Sequence, residues 1–429
     1  MAIFETSDRV EKWKYHVVYI NLIIPGEEVI NIPRERLTNF TLTEDYMENY
    51  FPLLKVTLAL ESEIYYKIQA NKNDCKINLR IDKFFTGLDS NEPSRMHPFL
   101  NDNFKLIMDD NTEDMTHSDK EEQAHMDFQK LEDSFKDDLS KIDNKISFYL
   151  FKSDIIQSVK TITNSVFKDC NLSDIITLYL TQSNIRNVLM APLDNTTIYK
   201  ELLVPPLSIL KAFNFLDNYF GFYKRGSLIY FGINNTYILP FTGKCRAFKP
   251  REIQNTLIII PKSNSTHTSE LGILNKPYDT NNRYVIGDYR TIDIMNESIT
   301  NNHVNANEVL VVDSYDGSQF ESKSDAINDS KNFKKIYENK TENMYIGIIY
   351  AAQTASLSKV ISVRLMDYDV EAVNPNKHFQ FVFEDNKLIK KYKEDYILIK
   401  ADHSFDLQGE DLVVSSVLSF CVDKRVQGE

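Results

Sequence analysis

A period of two governs the first part of this chain. Leu54, Val56, Leu58 and Leu60 alternate with Lys55, Thr57, Ala59 and Glu61, and the rhythm returns at Cys75, Ile77, Leu79 and Ile81 against Lys76, Asn78, Arg80 and Asp82. Successive side chains on an extended strand point to opposite faces, so this pattern belongs to strands with one face on a core and the other in water. Tyr15 to Ile24, apolar on both faces and closed by Pro25-Gly26, precedes both, and Asn71 to Asp74 supplies a polar turn. Residues 1–88 therefore predict a small antiparallel sheet or barrel.

The supply of side chains agrees with a packed β protein. Hydrophobic residues make up 42% of the 429 and aromatics 12%, enough to bury a core without metals or disulfides. With 23 Tyr and 26 Phe but a single Trp, the aromatics fit β cores better than a carbohydrate platform. The length corresponds to about three domains. Cys75, Cys170, Cys245 and Cys421 are far apart and form no Cys-x-x-Cys pair, so buried thiols are expected rather than a zinc knuckle or a disulfide framework. No stretch approaches the ~20 apolar residues that cross a bilayer, and the opening residues lack the order of a secretory leader, which leads to the expectation of synthesis in a reducing cytoplasm.

Charge and glycine content narrow the function. The balance of 49 basic and 62 acidic residues gives −13, and such a surface repels phosphate backbones. Only 12 glycines are present, which leaves little material for phosphate-cradling loops. Nucleotide chemistry and nucleic-acid binding are both disfavoured.

Four regions are expected: an N-terminal β-barrel-like domain over 1–88, an acidic linker or insert over 89–145, an α+β segment over 146–248, and a C-terminal β-rich domain over 249–429 that forms a second barrel. The fold class is mainly β, or α+β. Between Asn101 and Lys145 fourteen Asp/Glu stand against six Lys, and sparse apolar residues there predict a partly helical linker. Ile146 to Phe151 then reads as a strand, followed by helical stretches near Asp154 to Phe167 and Ser173 to Leu180. A further helix is expected with Pro205-Pro206 at its N-terminus. Its stripe, Ile209, Ala212, Phe213, Leu216 and Tyr219, stops at the capping Gly221. Strands are predicted at Ser227 to Phe231, Tyr237 to Phe241, Thr256 to Ile260, Glu308 to Val312, Met344 to Tyr350, Lys359 to Leu365 and Leu412 to Val422. His378 to Phe383 and Lys387 to Tyr392 read as a hairpin around Glu384-Asp385-Asn386.

Chemistry-bearing motifs are few. The sequence contains no His-Glu-x-x-His, Gly-x-Ser-x-Gly or phosphate loop. Ser356 with Lys359 and Ser165 with Lys168 match the Ser-x-x-Lys spacing, which on a helix sets an amine beside a hydroxyl, yet both are read as surface residues. His117 and His125, among Asp114, Asp119, Glu121 and Glu122, would lie ~12 Å apart on a helix, too far to share an ion. Asp313 to Gly317 lacks the oxygen ligand that a calcium loop needs at its third position, where Tyr315 stands. Glu44 with Asp45, and Asp367 with Asp369, are the carboxylate pairs a glycosidase would need, but the first pair points to opposite faces and the second reads as a solvated strand end. The expectation is no catalytic, cofactor-binding or metal-binding residues.

Two segments carry a family likeness. Ile32-Pro-Arg-Glu-Arg-Leu-Thr-Asn-Phe-Thr-Leu-Thr-Glu-Asp-Tyr46 with Tyr50-Phe-Pro-Leu-Leu-Lys-Val-Thr-Leu-Ala-Leu60 resembles the first barrel of the hub proteins at the tip of bacteriophage tails and related contractile injection machines. Leu203 to Gly221, continuing to Phe231, resembles the helix, glycine and strand between the two barrels of such hubs. The resemblance covers about the first 240 residues. It implies a structural virion component, a homotrimer whose barrels form a ring joining the tail tube to distal tail or spike proteins, with DNA passing through the channel without specific binding. It implies a location in the virion tail, after synthesis in the host cytoplasm. A cell-wall-degrading tail enzyme and a receptor- or carbohydrate-binding virion module are the alternatives.

Overall fold

The structure, a computed structural model, describes residues 12–71, 74–86, 96–108, 143–183, 187–242, 356–382, 386–409 and 411–423, with residues 185, 349 and 353 and the backbone of strands within 255–338. It is mainly β. Strands β1 (Lys12–Ile23), β2 (Ile30–Ile32), β3 (Leu37–Asp45) and β4 (Leu53–Glu61) lead into helix α1 (Ser62–Ala70) and then β5 (Lys76–Thr86), β6 (His97–Met108) and β7 (Asp143–Lys152). The period-two segments are β4 and β5, and their apolar positions are buried throughout: Leu54, Val56, Leu58 and Leu60 on one, Ile77, Leu79 and Ile81 on the other.

These strands do not close on themselves. The chain's last two strands, β21 (Tyr396–Gln408) and β22 (Asp411–Val422), form a hairpin that fills the gap. Around the ring run β21, β3, β4, β7, β6, β5, β1 and β22, every neighbour antiparallel, a closed eight-stranded barrel. The division drawn at residue 88 does not follow this ring. β6 and the start of β7 lie within 89–145, where a linker was expected, because Phe99, Leu100, Phe104 and Leu106 face the core despite the acidic residues beyond them. The remainder of that stretch, 109–142, lies outside the described residues.

The hairpin serves two sheets at once. At 13 and 12 residues its strands span about 40 Å. The middle of β21, Lys400 to Phe405, pairs with β3 (Phe405 opposite Phe40), and its first residues pair with β20 (His378–Val382), His378 lying opposite Ile397. On the other side β22 pairs with β19 (Lys359–Met366), Val360 opposite Cys421. The backbone of β15 (Ile292–Ile299) extends β19, and β13 (Asn255–Ile259) with β14 (Arg283–Gly287) extends β20 in parallel. A separate sheet holds β16 (Val309–Asp313), β17 (Gln319–Glu321) and β18 (Lys334–Glu338). The expected strand at Met344 to Tyr350 lies almost wholly outside the described residues. Lys387 to Tyr392 is not a returning strand. It is mostly helix α5 (Asn386–Lys391), its Leu388, Ile389 and Tyr392 following helical and not alternating spacing, and the partner of β20 is β21 instead.

Between barrel and second sheet the chain builds an α+β segment. Helix α2 (Ser153–Lys160) is followed by β8 (Ile162–Cys170), α3 (Leu172–Gln182), β9 (Val188–Met190), β10 (Tyr199–Ser208), α4 (Ile209–Phe220), β11 (Ser227–Phe231) and β12 (Thr236–Pro240). The helix expected to run to Phe167 stops at Lys160, because the following Ile-Thr-Asn-Ser-Val, rich in β-branched residues, pairs with β10. Pro205 and Pro206 lie inside β10 at a register shift between Val204 and Leu207, where a missing N–H costs no ladder bond. The helix starts after them. Ser208 caps it, its hydroxyl accepting from the Lys211 N–H, and Gly221 ends it at φ 72°, a left-handed conformation that suits glycine. Tyr179, Phe213 and Phe231 pack edge to face beneath.

Candidate functional site: the closure of the barrel

The seam where the C-terminal hairpin meets the N-terminal strands brings together the buried Lys83, His403 and Ser416 with their partners. On its apolar side Phe405 of β21 packs against Tyr15 of β1 at 5.1 Å, Phe40 of β3 at 5.0 Å and Phe99 of β6 at 5.7 Å. All four rings are nearly or completely buried. Three strands from residues 12–108 are thus held by one ring from position 405, and such packing contributes beyond simple burial.

Over the seam runs a strap, residues 367–373. The Tyr15 hydroxyl donates to the Tyr368 carbonyl at 3.1 Å and accepts from the Val370 N–H at 2.8 Å. Burial raises both the Tyr15 and the Tyr368 phenol well above the ordinary range, so both stay protonated donors. Lys83 of β5 sets its ammonium 2.7 Å from Asp369 and 2.5 Å from Glu371, with the Trp13 ring 5.1 Å away. Lys377 donates to the Ala372 carbonyl at 3.0 Å, and burial lowers its pKa against the pull of Asp369. Asn234, from the turn between β11 and β12, donates to Glu371 at 2.6 Å and to the Phe99 carbonyl at 3.2 Å. Lys152 bonds the neighbouring Ile233 carbonyl at 2.7 Å. Barrel, strap and α+β segment meet in this knot.

A second knot lies inside the wall. His403 of β21 and Ser416 of β22 face each other in register, with Nδ1 and Oγ 2.7 Å apart. The Tyr368 hydroxyl lies 3.1 Å from the same nitrogen, and Glu44 of β3 lies 3.7 Å from Nε2 while accepting from the Tyr46 hydroxyl at 2.9 Å. Burial, reinforced by Glu44, pushes the Tyr46 phenol up. Hydroxyl, imidazole and carboxylate are the groups of a nucleophilic triad. Here Ser416 is 1% exposed and His403 2%, so no substrate carbonyl reaches the hydroxyl. The arrangement ties three strands together. Sequence reading missed it because its members lie far apart in the chain and meet only through strand register.

The motif residues fare as follows. Ser356 and Lys359 were expected at the surface and are instead buried, because a turn carries Ser356 inward and Lys359 opens β19 beneath α5. The Lys359 ammonium bonds the Lys391 carbonyl, lies 3.5 Å from Glu394 and faces the Tyr392 ring at 4.6 Å, while the buried Ser356 hydroxyl makes no hydrogen bond to it, so the two are not joined as nucleophile and base. Ser165 and Lys168 lie three apart on a strand and point to opposite faces. Glu44 turns inward to His403, whereas Asp45 accepts from the N–H groups of Met47 and Glu48. Asp367 and Asp369 are not a solvated strand end. They lie in the strap, where Asp369 meets Lys83. His117, His125 and the rest of the Asp313 loop lie outside the described residues. Among the described residues no group of three or more His, Cys, Asp or Glu side chains could hold a metal, and no helix is long and apolar enough to cross a membrane.

A family model described as Bacteriophage PBS1 gene 109 protein matches residues 6–421. The chain belongs to this bacteriophage family. No curated protein matches it. Among solved structures it is similar to a tail protein from Neisseria meningitidis MC58, at 8% identity and TM-score 0.48, over 96% of this chain and 97% of that one. It is also similar to the 43 kDa tail protein of prophage MuSo2 from Shewanella oneidensis, at 9% identity and TM-score 0.45, over 93% and 96%. A Francisella PdpA–VgrG complex is a third, at 8% identity and TM-score 0.46, over 98% of this chain and 59% of that one. Membership of the PBS1 gene 109 family makes this a phage protein.

Proposed function

We propose that this chain is a structural component of the phage tail, a baseplate hub that trimerises and joins the tail tube to the central spike or tip. The observation that carries the reading is the closed barrel whose final hairpin continues into a second sheet. A closed barrel has no free edge, and a hairpin shared between two sheets couples them as one stiff body, which suits a part whose task is geometric. The phage family and the hub-like segments at 32–60 and 203–231 support it. So does the charge, because an acidic channel wall repels phosphates and lets DNA pass unbound.

The chain works by shape and not by turnover in this reading, which accords with a triad-like cluster sealed inside the wall. Mass spectrometry and labelling of intact virions test the location: the chain is expected in purified tails, at the junction of tube and tip. Absence from virions, or activity of the pure protein on peptidoglycan, overturns the proposal in favour of a lytic enzyme.

A further inference from the structure

We infer that the outer face of the two-stranded ribbon β8–β10 is where a second copy of this chain packs. The inference rests on the hub reading and names the surface it leaves open. Outward positions alternate along both strands, and their large aliphatic members are bare: Ile162 is 70% exposed, Val166 63% and Leu203 60%, with Ile198, immediately before β10, at 69%. Val166 and Leu203 are direct cross-strand partners, so their side chains form one apolar platform. The inner positions, Thr163, Leu202 and Val204, are buried toward the helices, which fixes the register and leaves the outer set no other place to go. Among the described residues the ribbon pairs with no third strand, so both of its edges are free. Val166 and Leu203 form the apolar centre of this face, with Ile162 and Ile198 toward its two ends, and bare apolar side chains so grouped among polar ones mark an interaction site.

Charge selects the occupant. Two copies of a chain carrying −13 repel each other unless they meet where the charge is neutral. On the ribbon Lys168 and Lys200 balance Asp169 and Glu201, 2 − 2 = 0, and residues 143–242 as a whole hold nine Lys or Arg against seven Asp or Glu, or +2. Beside the platform Lys168 lies opposite Glu201 in register, 4.0 Å apart and both exposed. Such a pair can exchange partners with the same pair of a neighbour, or face the acidic surface of the next copy in a ring. A neutral apolar face on a strongly acidic protein is thus the place where like copies can touch.

The test is the solution mass of the full chain with Val166→Glu and Leu203→Glu combined, measured by light scattering over a hundredfold range of concentration. Val29→Glu, at a site also exposed but away from the ribbon, is the control. The wild type and the control are expected at a multiple of 49.9 kDa, and the double variant at the single mass with an unchanged circular dichroism spectrum and melting temperature. A Lys168→Glu, Glu201→Lys exchange is expected to retain association, weakened less than tenfold. An oligomeric double variant overturns the ribbon as the interface and leaves the hub reading standing. A wild type that stays at 49.9 kDa throughout overturns self-association itself, whatever the variants do.

Discussion

Tyr15 and Val370, 355 positions apart, are joined through a single hydroxyl that accepts the Val370 N–H at 2.8 Å while donating to the carbonyl of Tyr368. Replacing Tyr15 with Phe keeps the ring contacts with Phe99 and Phe405 but leaves a buried N–H without its acceptor. The expected loss is about 2 kcal/mol of unfolding free energy, with an unchanged denaturant slope. Urea titration followed by fluorescence measures it, and a loss within error of zero would mean that water reaches the strap.

Lys83 faces two carboxylates. Lys83→Met leaves the largely buried Asp369, and the part-exposed Glu371 beside it, without their shared cation, and is expected to cost about 3 kcal/mol. Adding Asp369→Asn and Glu371→Gln should recover part of that loss. A triple variant no more stable than Lys83→Met would show that the charges are not coupled.

Removal of the hairpin tests closure directly. A chain ending at residue 395 lacks both β21 and β22, leaving the edges of β1 and β3 unpaired and the Tyr15, Phe40 and Phe99 rings without Phe405. It is expected to lose cooperative melting and to aggregate, because open apolar edges recruit other strands. Phe405→Ala is the milder form, with an expected cost of about 4 kcal/mol. A truncated chain that melts sharply would make the N-terminal strands a domain in their own right.

Asp217 of α4 gives a pH signature. Its carboxylate accepts from the Phe222 N–H and the Ser227 hydroxyl, yet desolvation outweighs both bonds and raises its pKa. The folded state therefore holds this proton more tightly than the unfolded chain does. The group costs nothing below the ordinary carboxylate range and costs more as pH rises through its raised folded value. Asp217→Asn removes that charge, so its stability relative to the wild type should climb with pH from about pH 4 and then level off. Thermal melts across a pH series check this, and a difference that falls with rising pH contradicts it.

Local chemistry was legible in the sequence where neighbours decide it. The alternations at 54–61 and 75–82 became β4 and β5 with the expected faces buried, and the stripe from Ile209 to Leu216 became α4, ended by Gly221. Errors came where a distant partner decided. Ile162 to Cys170 was drawn into a strand by β10, and β20 found β21 instead of the segment beside it. The carboxylates Glu44 and Asp369 looked like surface pairs because their partners, His403 and Lys83, lie hundreds of residues away.

By itself the sequence determined that the chain is β-rich, acidic and poor in catalytic motifs, since composition and period-two patterning act over a few residues at a time. Only the tertiary structure decided that its last 27 residues of strand and turn, 396–422, close the barrel begun by its first, because strand pairing carries no local mark of which edge it will meet. The same long-range pairing set which charges are buried together and which apolar face is left bare.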